Sequence, residues 1–440
     1  MKHLVSLLSF ALLSSAALAQ KIEESLAVVG HHPQLLRELR AHPELTVDHL
    51  HADGFELYGP RGLSRFLDER GVLYYPLASQ QKEFETANYP SFREVEARLR
   101  EAARRFPHLA KLESIGKSVQ GRDLWVMKLT KDPQRDHARP EFKYISSMHG
   151  DEITGRELCL RFIDDLLESY GKDPLITELL DHTEIYVLPS MNPDGSELRQ
   201  RANANHIDLN RNFPEAVRNE PNSPEGRQPE VRALMSFQAQ RNFSLSANFH
   251  GGAVVVNYPW DARYGAHPDH ELVRALSVDY AALNPEMRDS RRFAEGVTNG
   301  AAWYVLYGGM QDWSYVWHND LQVTVELSDS KWPNYAQIPA FYQRNRESML
   351  AFAQAVHQGA GFRLANPASA GRVEIYGAEG GRVGSFAFTH GEFYKVLPTG
   401  RYRFVIEVDG KTREQVFEVR PGIRPDAYEA LPLASFSTRS

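Results

Sequence analysis

The sequence predicts an α/β protein, a mixed-sheet α/β/α domain followed by a small all-β sandwich. Between Tyr89 and His357 near-continuous apolar runs (Leu124–Leu129, Lys143–Ser147, Glu184–Leu188, Val323–Leu327) alternate with stretches of helical period. Strands buried on both faces by helices read this way. After Gly359 the helical period stops. Short alternating runs take over (Arg372–Tyr376, Ser385–Thr389, Phe393–Leu397, Tyr402–Val408, Gln415–Val419), separated by turns such as Gly380-Gly381 and Asp409-Gly410. That spacing predicts a sandwich.

Taken in order, the chain begins with Lys2 and His3, an apolar run from Leu4 to Leu18, and the small-x-small pattern Ala17-Leu18-Ala19. A charged end, a short apolar core and small residues at the cut predict a signal peptide over residues 1–19 and export, to the periplasm or the medium. Residues 20–86 predict a small α/β unit. Phe55-Glu56-Leu57-Tyr58 alternates like a strand, Gly59-Pro60 turns, Leu63, Phe66 and Leu67 fall at helical spacing, and Val72–Leu77 is strand-like again. Ser91 with Glu94 is a capping box, which opens a helix through Val95, Leu99 and Ala103 and starts the layered domain at 87–358. The sandwich takes 359–440.

Composition narrows the function. A net charge of −7 over 440 residues lacks the basic footprint of a nucleic-acid binder. Beyond the extreme N-terminus nothing is long and apolar enough to span a bilayer, so no stable membrane span is expected after signal cleavage. Cys159 is the only cysteine, so no intrachain disulfide forms. Its apolar neighbours Leu158, Leu160 and Phe162 mark it as a buried structural thiol.

The chemistry concentrates in a few segments. Ser147-Met148-His149-Gly150-Asp151-Glu152 follows an apolar strand and opens a helix through Arg156–Leu167. An imidazole and a carboxylate at that junction can face one metal ion, and zinc accepts both, with a third ligand and an open position for water. Alone the pattern describes a surface pair more readily than a metal site. His250, at the end of the run Leu245–Phe249 and before Gly251-Gly252, is the candidate third ligand, because α/β sheets gather their sites at strand C-termini. A satisfied core histidine is the competing reading. Asp208–Pro214 is a polar cluster in which an arginine beside an amide suits a carboxylate. Glu326 is one acid in an apolar strand, where burial raises its pKa as a general base requires, though an ion pair is equally consistent.

Together these segments, with Leu188–Gly195, Ser246–Gly252 and Gly308–Asp312, resemble the zinc metallocarboxypeptidases of the carboxypeptidase A superfamily from about Tyr89 to His357. They are most similar to the regulatory, carboxypeptidase N/E-like branch, in which a transthyretin-like sandwich follows the catalytic domain. The resemblance implies one Zn2+ per chain held by His149, Glu152 and His250, with Asp208 orienting His149. It implies Glu326 as general base, Arg201 as the arginine that polarises the scissile carbonyl, and Asn210 with Arg211 as the grip on a terminal carboxylate. Tyr304 matches the tyrosine that closes over substrate. Asp261 and Gln311 match positions that contact a basic terminal residue. The implied activity is hydrolysis of single C-terminal residues, Lys or Arg, from peptides or proteins. A zinc amidohydrolase acting on cell-wall peptides or acyl-amino acids, and a non-catalytic binding protein, are the alternatives. Residues 20–86 depart from the regulatory branch and resemble, though shorter, the small α/β pro-segments of the digestive one. Asp151 stands where digestive enzymes carry arginine.

Overall fold

The apolar runs form the middle of an eight-stranded mixed sheet. The computed structural model describes residues 21–42, 44–77, 89–135, 137–424, 428–432 and 436–438. The expected signal peptide and its cut at Ala19 lie outside the described residues. From edge to edge the strands are Val297–Asn299, Ala253–Tyr258, Leu321–Ser328, Phe243–His250, Glu141–Ser146, Glu184–Leu188, Asp123–Leu129 and Ala110–Lys117. Leu321–Ser328, Phe243–His250, Glu141–Ser146 and Glu184–Leu188 run parallel as neighbours. They are buried throughout except at Glu141, as strands covered on both faces must be.

Alternating side chains feed two cores. Met127, Leu129, Phe142 and Tyr144 pack with Leu158, Phe162 and Leu166 of the helix Thr154–Ser169 and Met349 and Phe352 of the helix Ile338–Gln354. Leu124, Val126, Ile145 and Tyr186 face the other way, against Leu234 and Trp313. Cys159 is fully buried in the first core. The capping box forms as expected: Ser91 Oγ accepts from Glu94 N and the Glu94 carboxylate accepts from Ser91 N, opening the helix Phe92–Arg105.

Before this body, four antiparallel strands lie in the order Thr46–His51, Gly54–Gly59, Glu24–Val29, Tyr74–Pro76, with helices Pro33–Leu39 and Leu63–Asp68. They share an apolar cluster of their own, Leu26, Val28, Leu35, Leu39, Phe55, Leu57, Leu63 and Leu67. After the body, strands of three and five build two sheets around Phe362, Val373, Phe393, Phe404 and Phe417. Pairing there is antiparallel except between Gly359–Leu364 and Tyr428–Leu431. Among the described residues no helix is long and apolar enough to cross a membrane.

His357 sits where the body passes into the sandwich, fully buried, with Nε2 at 2.7 Å from Thr183 Oγ1. Burial pushes its pKa down to about 3. The folded protein therefore refuses a proton that the unfolded chain accepts below about 6.5. Stability is unaffected above that pH, falls by about 1.4 kcal/mol per pH unit between the two values, and falls no further below the lower one. Urea midpoints measured from pH 7 to pH 4 are expected to drop less steeply for His357→Gln than for the unaltered chain. Equal slopes would overturn this assignment.

Candidate metal and peptide site

His149 leaves the sheet one turn before the helix Thr154–Ser169, and Glu152 follows three residues on. His250 is the last residue of the neighbouring parallel strand. The fold thus brings together two segments 98 residues apart: His250 Nδ1 is 2.8 Å from Glu152 Oε2, and His149 Nδ1 is 3.0 Å from Glu152 Oε1. Ligand atoms of all three lie within 4.8 Å of one another, and all three residues are buried.

Two ring nitrogens, His149 Nδ1 and His250 Nδ1, face each other at 3.1 Å. Nitrogen lone pairs that converge this closely need a proton or a cation between them. The outer ring nitrogens are also held: His149 Nε2 is 3.1 Å from Asp208 Oδ1, and His250 Nε2 is 2.6 Å from the Asn248 amide. In this amide orientation Asn248 Oδ1 has no partner among the described residues. With the amide turned over, Nε2–H of His250 donates to that oxygen and Nδ1 keeps its lone pair for a metal. Burial and Arg201 oppose a charge on His149, yet Glu152 and Asp208 push its pKa up to about 9. The carboxylates of Glu152 and Asp208 thus favour a cation at this place. Two imidazoles, one carboxylate and a carboxylate behind the first imidazole fit zinc.

Glu326 is the strand partner of His250 and is buried. Burial first, and then Glu152, push its carboxyl up to about 8. Among the described residues its Oε2 has no hydrogen-bond partner, and neither has Arg201 Nη2, although both are buried. Buried polar atoms are rarely left so in folded proteins, and a bound ligand is one way to complete them. Arg201 is otherwise fully held: Nε donates to Asp208 Oδ2 at 2.9 Å and Nη1 pairs with Asp48.

Asn210 and Arg211 follow Asp208, which caps the short turn Leu209–Arg211. Asn210 Oδ1 accepts from Met310 N at 3.0 Å, and Arg211, half-buried, lines a cleft with Tyr304. Beyond them Asp261 is buried, not an exposed loop acid; Asn257 Nδ2 and Gln311 Nε2 donate to its Oδ1 at 3.0 and 3.1 Å. Burial pushes Asp261 up to about 6. Gly300 is required here, because a Cβ on it would lie 1.8 Å from Asp261 Oδ1. Asp312 supports the loop by accepting from the backbone nitrogens of Asp261 and Ala262.

Sequence reasoning missed one whole side of the site. Asp48, His49 and Glu56 of the N-terminal sheet reach it, together with Lys331 of the body. Asp48 pairs with Arg201 and its Oδ1 accepts from Tyr304 OH at 2.9 Å. Lys331 Nζ donates to Glu56 Oε2 at 2.7 Å and lies 3.7 Å from Asp151 Oδ2, so Asp151 faces a cation from elsewhere in the chain. Asp48, His49 and Glu56 also cluster closely enough to suggest a second metal site. Arg201 and Lys331 already neutralise these acids, and both His49 ring nitrogens are engaged, with Glu56 Oε2 at 2.8 Å and Gly251 O at 2.7 Å.

Comparison with known proteins agrees with this geometry. Residues 95–348 match the family described as zinc carboxypeptidase. Carboxypeptidase SOL1 of Arabidopsis thaliana is 41% identical over 271 residues, 60% of this chain and 55% of that protein. Carboxypeptidase D of Homo sapiens is 37% identical over 370 residues, 77% of this chain and 26% of that protein. The chain therefore spans about half the length of the first and about a quarter of the second. The crystal structure of carboxypeptidase A from Helicoverpa armigera superposes with a TM-score of 0.59 at 17% identity, over 75% of this chain and 96% of that one, a likeness of fold.

Proposed function

The chain belongs to the zinc carboxypeptidase family, and on that premise we propose that it is an exopeptidase removing single C-terminal residues, Lys or Arg, from peptides or proteins. The observation that carries the reading is the three-donor set beside two unpartnered buried atoms, Glu326 Oε2 and Arg201 Nη2.

His149, Glu152 and His250 hold the ion in this reading. Bound there, zinc supplies Lewis acidity to the scissile carbonyl and to the attacking water. Glu326 takes the proton of that water and returns it to the leaving amine. Arg201 donates from Nη2 to the carbonyl oxygen as negative charge develops on it. Arg211, with Asn210, clasps the free carboxylate by paired hydrogen bonds, which restricts attack to a chain end. Tyr304 closes over the bound residue.

Specificity follows from what the inner pocket offers. Asp261 brings a carboxylate, while Gln311 Oε1 and Asn257 Oδ1 are buried acceptors without partners among the described residues. Acceptors grouped around a buried acid suit a guanidinium or ammonium, and a neutral side chain leaves them unpaired. These groups favour a basic chain end over the cell-wall and acyl-amino-acid substrates of the amidohydrolase reading. Export of the mature chain to the periplasm or medium, after cleavage near Ala19, belongs to the same reading, supported by the charged and apolar leader sequence. So does a pro-segment role for the N-terminal unit, residues 20–86, supported by Asp48 on Arg201.

Peptides that differ only in a terminal Arg, Lys, Phe or Glu test it, with the unaltered chain and with Asp48→Ala. Release is expected from the Arg and Lys peptides at least about tenfold faster than from Phe or Glu, to stop with a chelator, and to return with zinc. A preference for Phe would overturn the pocket assignment; release indifferent to chelation would overturn the metal.

A further inference from the structure

One ammonium of the C-terminal sandwich grips both halves of the pocket that receives the terminal side chain. Lys395 lies on the strand Glu392–Val396 and is almost completely buried. Its Nζ donates to Asp269 Oδ2 at 2.8 Å and to Asn319 Oδ1 at 2.9 Å. Each acceptor belongs to an element that shapes the pocket. Asp269 ends the loop that begins at Asp261 and precedes the helix His270–Leu283. Asn319 is the C-cap of the helix Met310–His318, whose first turn carries Gln311 and Asp312.

Between the ammonium and Asp261 the packing is continuous. Tyr315 sits one turn beyond Gln311 on the same helix, and its hydroxyl also donates to Asp269 Oδ2, at 2.8 Å. The ring of His267 lies 3.9 Å from that of Tyr315 and 4.6 Å from that of Trp260. Trp260 is buried and immediately precedes Asp261. At the other end of the helix Asp312 takes the backbone nitrogens of Asp261 and Ala262, and Gln311 takes the Asp261 carboxylate. Loop and helix are thus tied together at two places, at Asp261 by their own residues and at Asp269 by Tyr315 of the helix together with Lys395 of the sandwich, which also holds Asn319.

We propose that Lys395 is a positioning residue for specificity: by holding Asp269 and Asn319 it sets the separation of Asp261 from Gln311, so the sandwich tunes recognition of a basic chain end. The proposal rests on the basic-residue reading of Asp261 and Gln311. Displacements well under 1 Å in such a pocket change recognition measurably, because paired acceptors must reach one cation together.

The test compares Lys395→Met with its parent, both carrying Asp48→Ala, on peptides ending in Arg and in Phe. Lys395→Met is expected to raise KM for the Arg peptide about tenfold, with kcat little changed and the Phe peptide unaffected. The rise in Tm caused by free arginine, read without turnover, shrinks in parallel. A variant that keeps the parent's ratio of Arg to Phe kcat/KM while its Tm falls would show a mere interdomain clamp and overturn the proposal. A parent with no preference for Arg would overturn the Asp261 reading itself, and this proposal with it. If Lys395→Met does not fold, Tyr315→Phe, which removes only one bond to Asp269, is expected to shift the ratio in the same direction by less; an unchanged ratio there also overturns it.

Discussion

Glu326→Gln is expected to leave the protein folded and loaded with zinc while turnover of an Arg-ended peptide falls by about a thousandfold, within the range general-base catalysis contributes. The side chain sits in the middle of the sheet, between His250 on one neighbouring strand and Val255 on the other. Its backbone is fixed by both ladders, and an isosteric amide changes neither volume nor register. Metal content should hold, because the donor set of His149, Glu152 and His250 does not include Glu326. Stability should hold or rise, because burial and the like charge of Glu152 already disfavour the Glu326 carboxylate. What the amide cannot do is accept and return a proton. The two readouts separate the roles: metal analysis reports the ligand shell, and single-turnover kinetics report the base. Turnover within tenfold of the parent at equal metal content would remove Glu326 from the mechanism.

The members of the donor set were candidates in the sequence because each stands at a recognisable boundary, and the family resemblance chose between that reading and a surface pair or core histidine. His149 and Glu152 flank a strand-to-helix junction, and His250 ends an apolar strand before two glycines. Asp261 and Gln311 were harder, since neither periodicity nor spacing says that a loop acid turns inward; the fold buries Asp261 beneath Asn257 and Gln311. The strand Thr46–His51 went unseen for a physical reason. Its buried residues include Asp48 and His49, and a partly buried Val47 stands beside them, so the usual equation of buried with apolar fails. The pairing with Gly54–Gly59 also slips between Asp48 and His51, and His49 takes φ 47°, which lets two successive side chains serve the interface. No local pattern announces a contact made 153 residues away by Arg201. The strand Gly359–Leu364 is absent from the runs read as strands for a different reason: two glycines interrupt its alternating pattern, yet they sit under Tyr394, where side chains would collide.

Asp48→Ala in the full chain is expected to raise kcat/KM on an Arg-ended peptide about a hundredfold. Asp48 puts a carboxylate between Arg201 and Tyr304, the two side chains that the proposed mechanism assigns to the scissile carbonyl and to closure. Arg201 and His49 hold that carboxylate well below its ordinary range against the cost of burial. His49 is held in turn: burial opposes its charge, but Asp48 and Glu56 push its pKa up to about 9, so both ring N–H groups donate, one of them to Gly251 O beside His250. Only a glycine fits at 252, where a Cβ would meet the His49 ring at 1.7 Å. On the far side Glu56 occupies Lys331. In the proposed mechanism an arriving peptide must displace Asp48 from beside Arg201 to bring its carbonyl to Nη2, and from Tyr304 to free that side chain for closure. Breaking a buried pair by removing one partner costs about 3–5 kcal/mol, here to the covered state, which is ample for a hundredfold shift toward the open one. Arg201 itself keeps its bond to Asp208 and stays in place for substrate. An unaltered chain already as fast as Asp48→Ala would show that the N-terminal sheet yields to substrate without resistance, and would leave it no part in holding the enzyme silent.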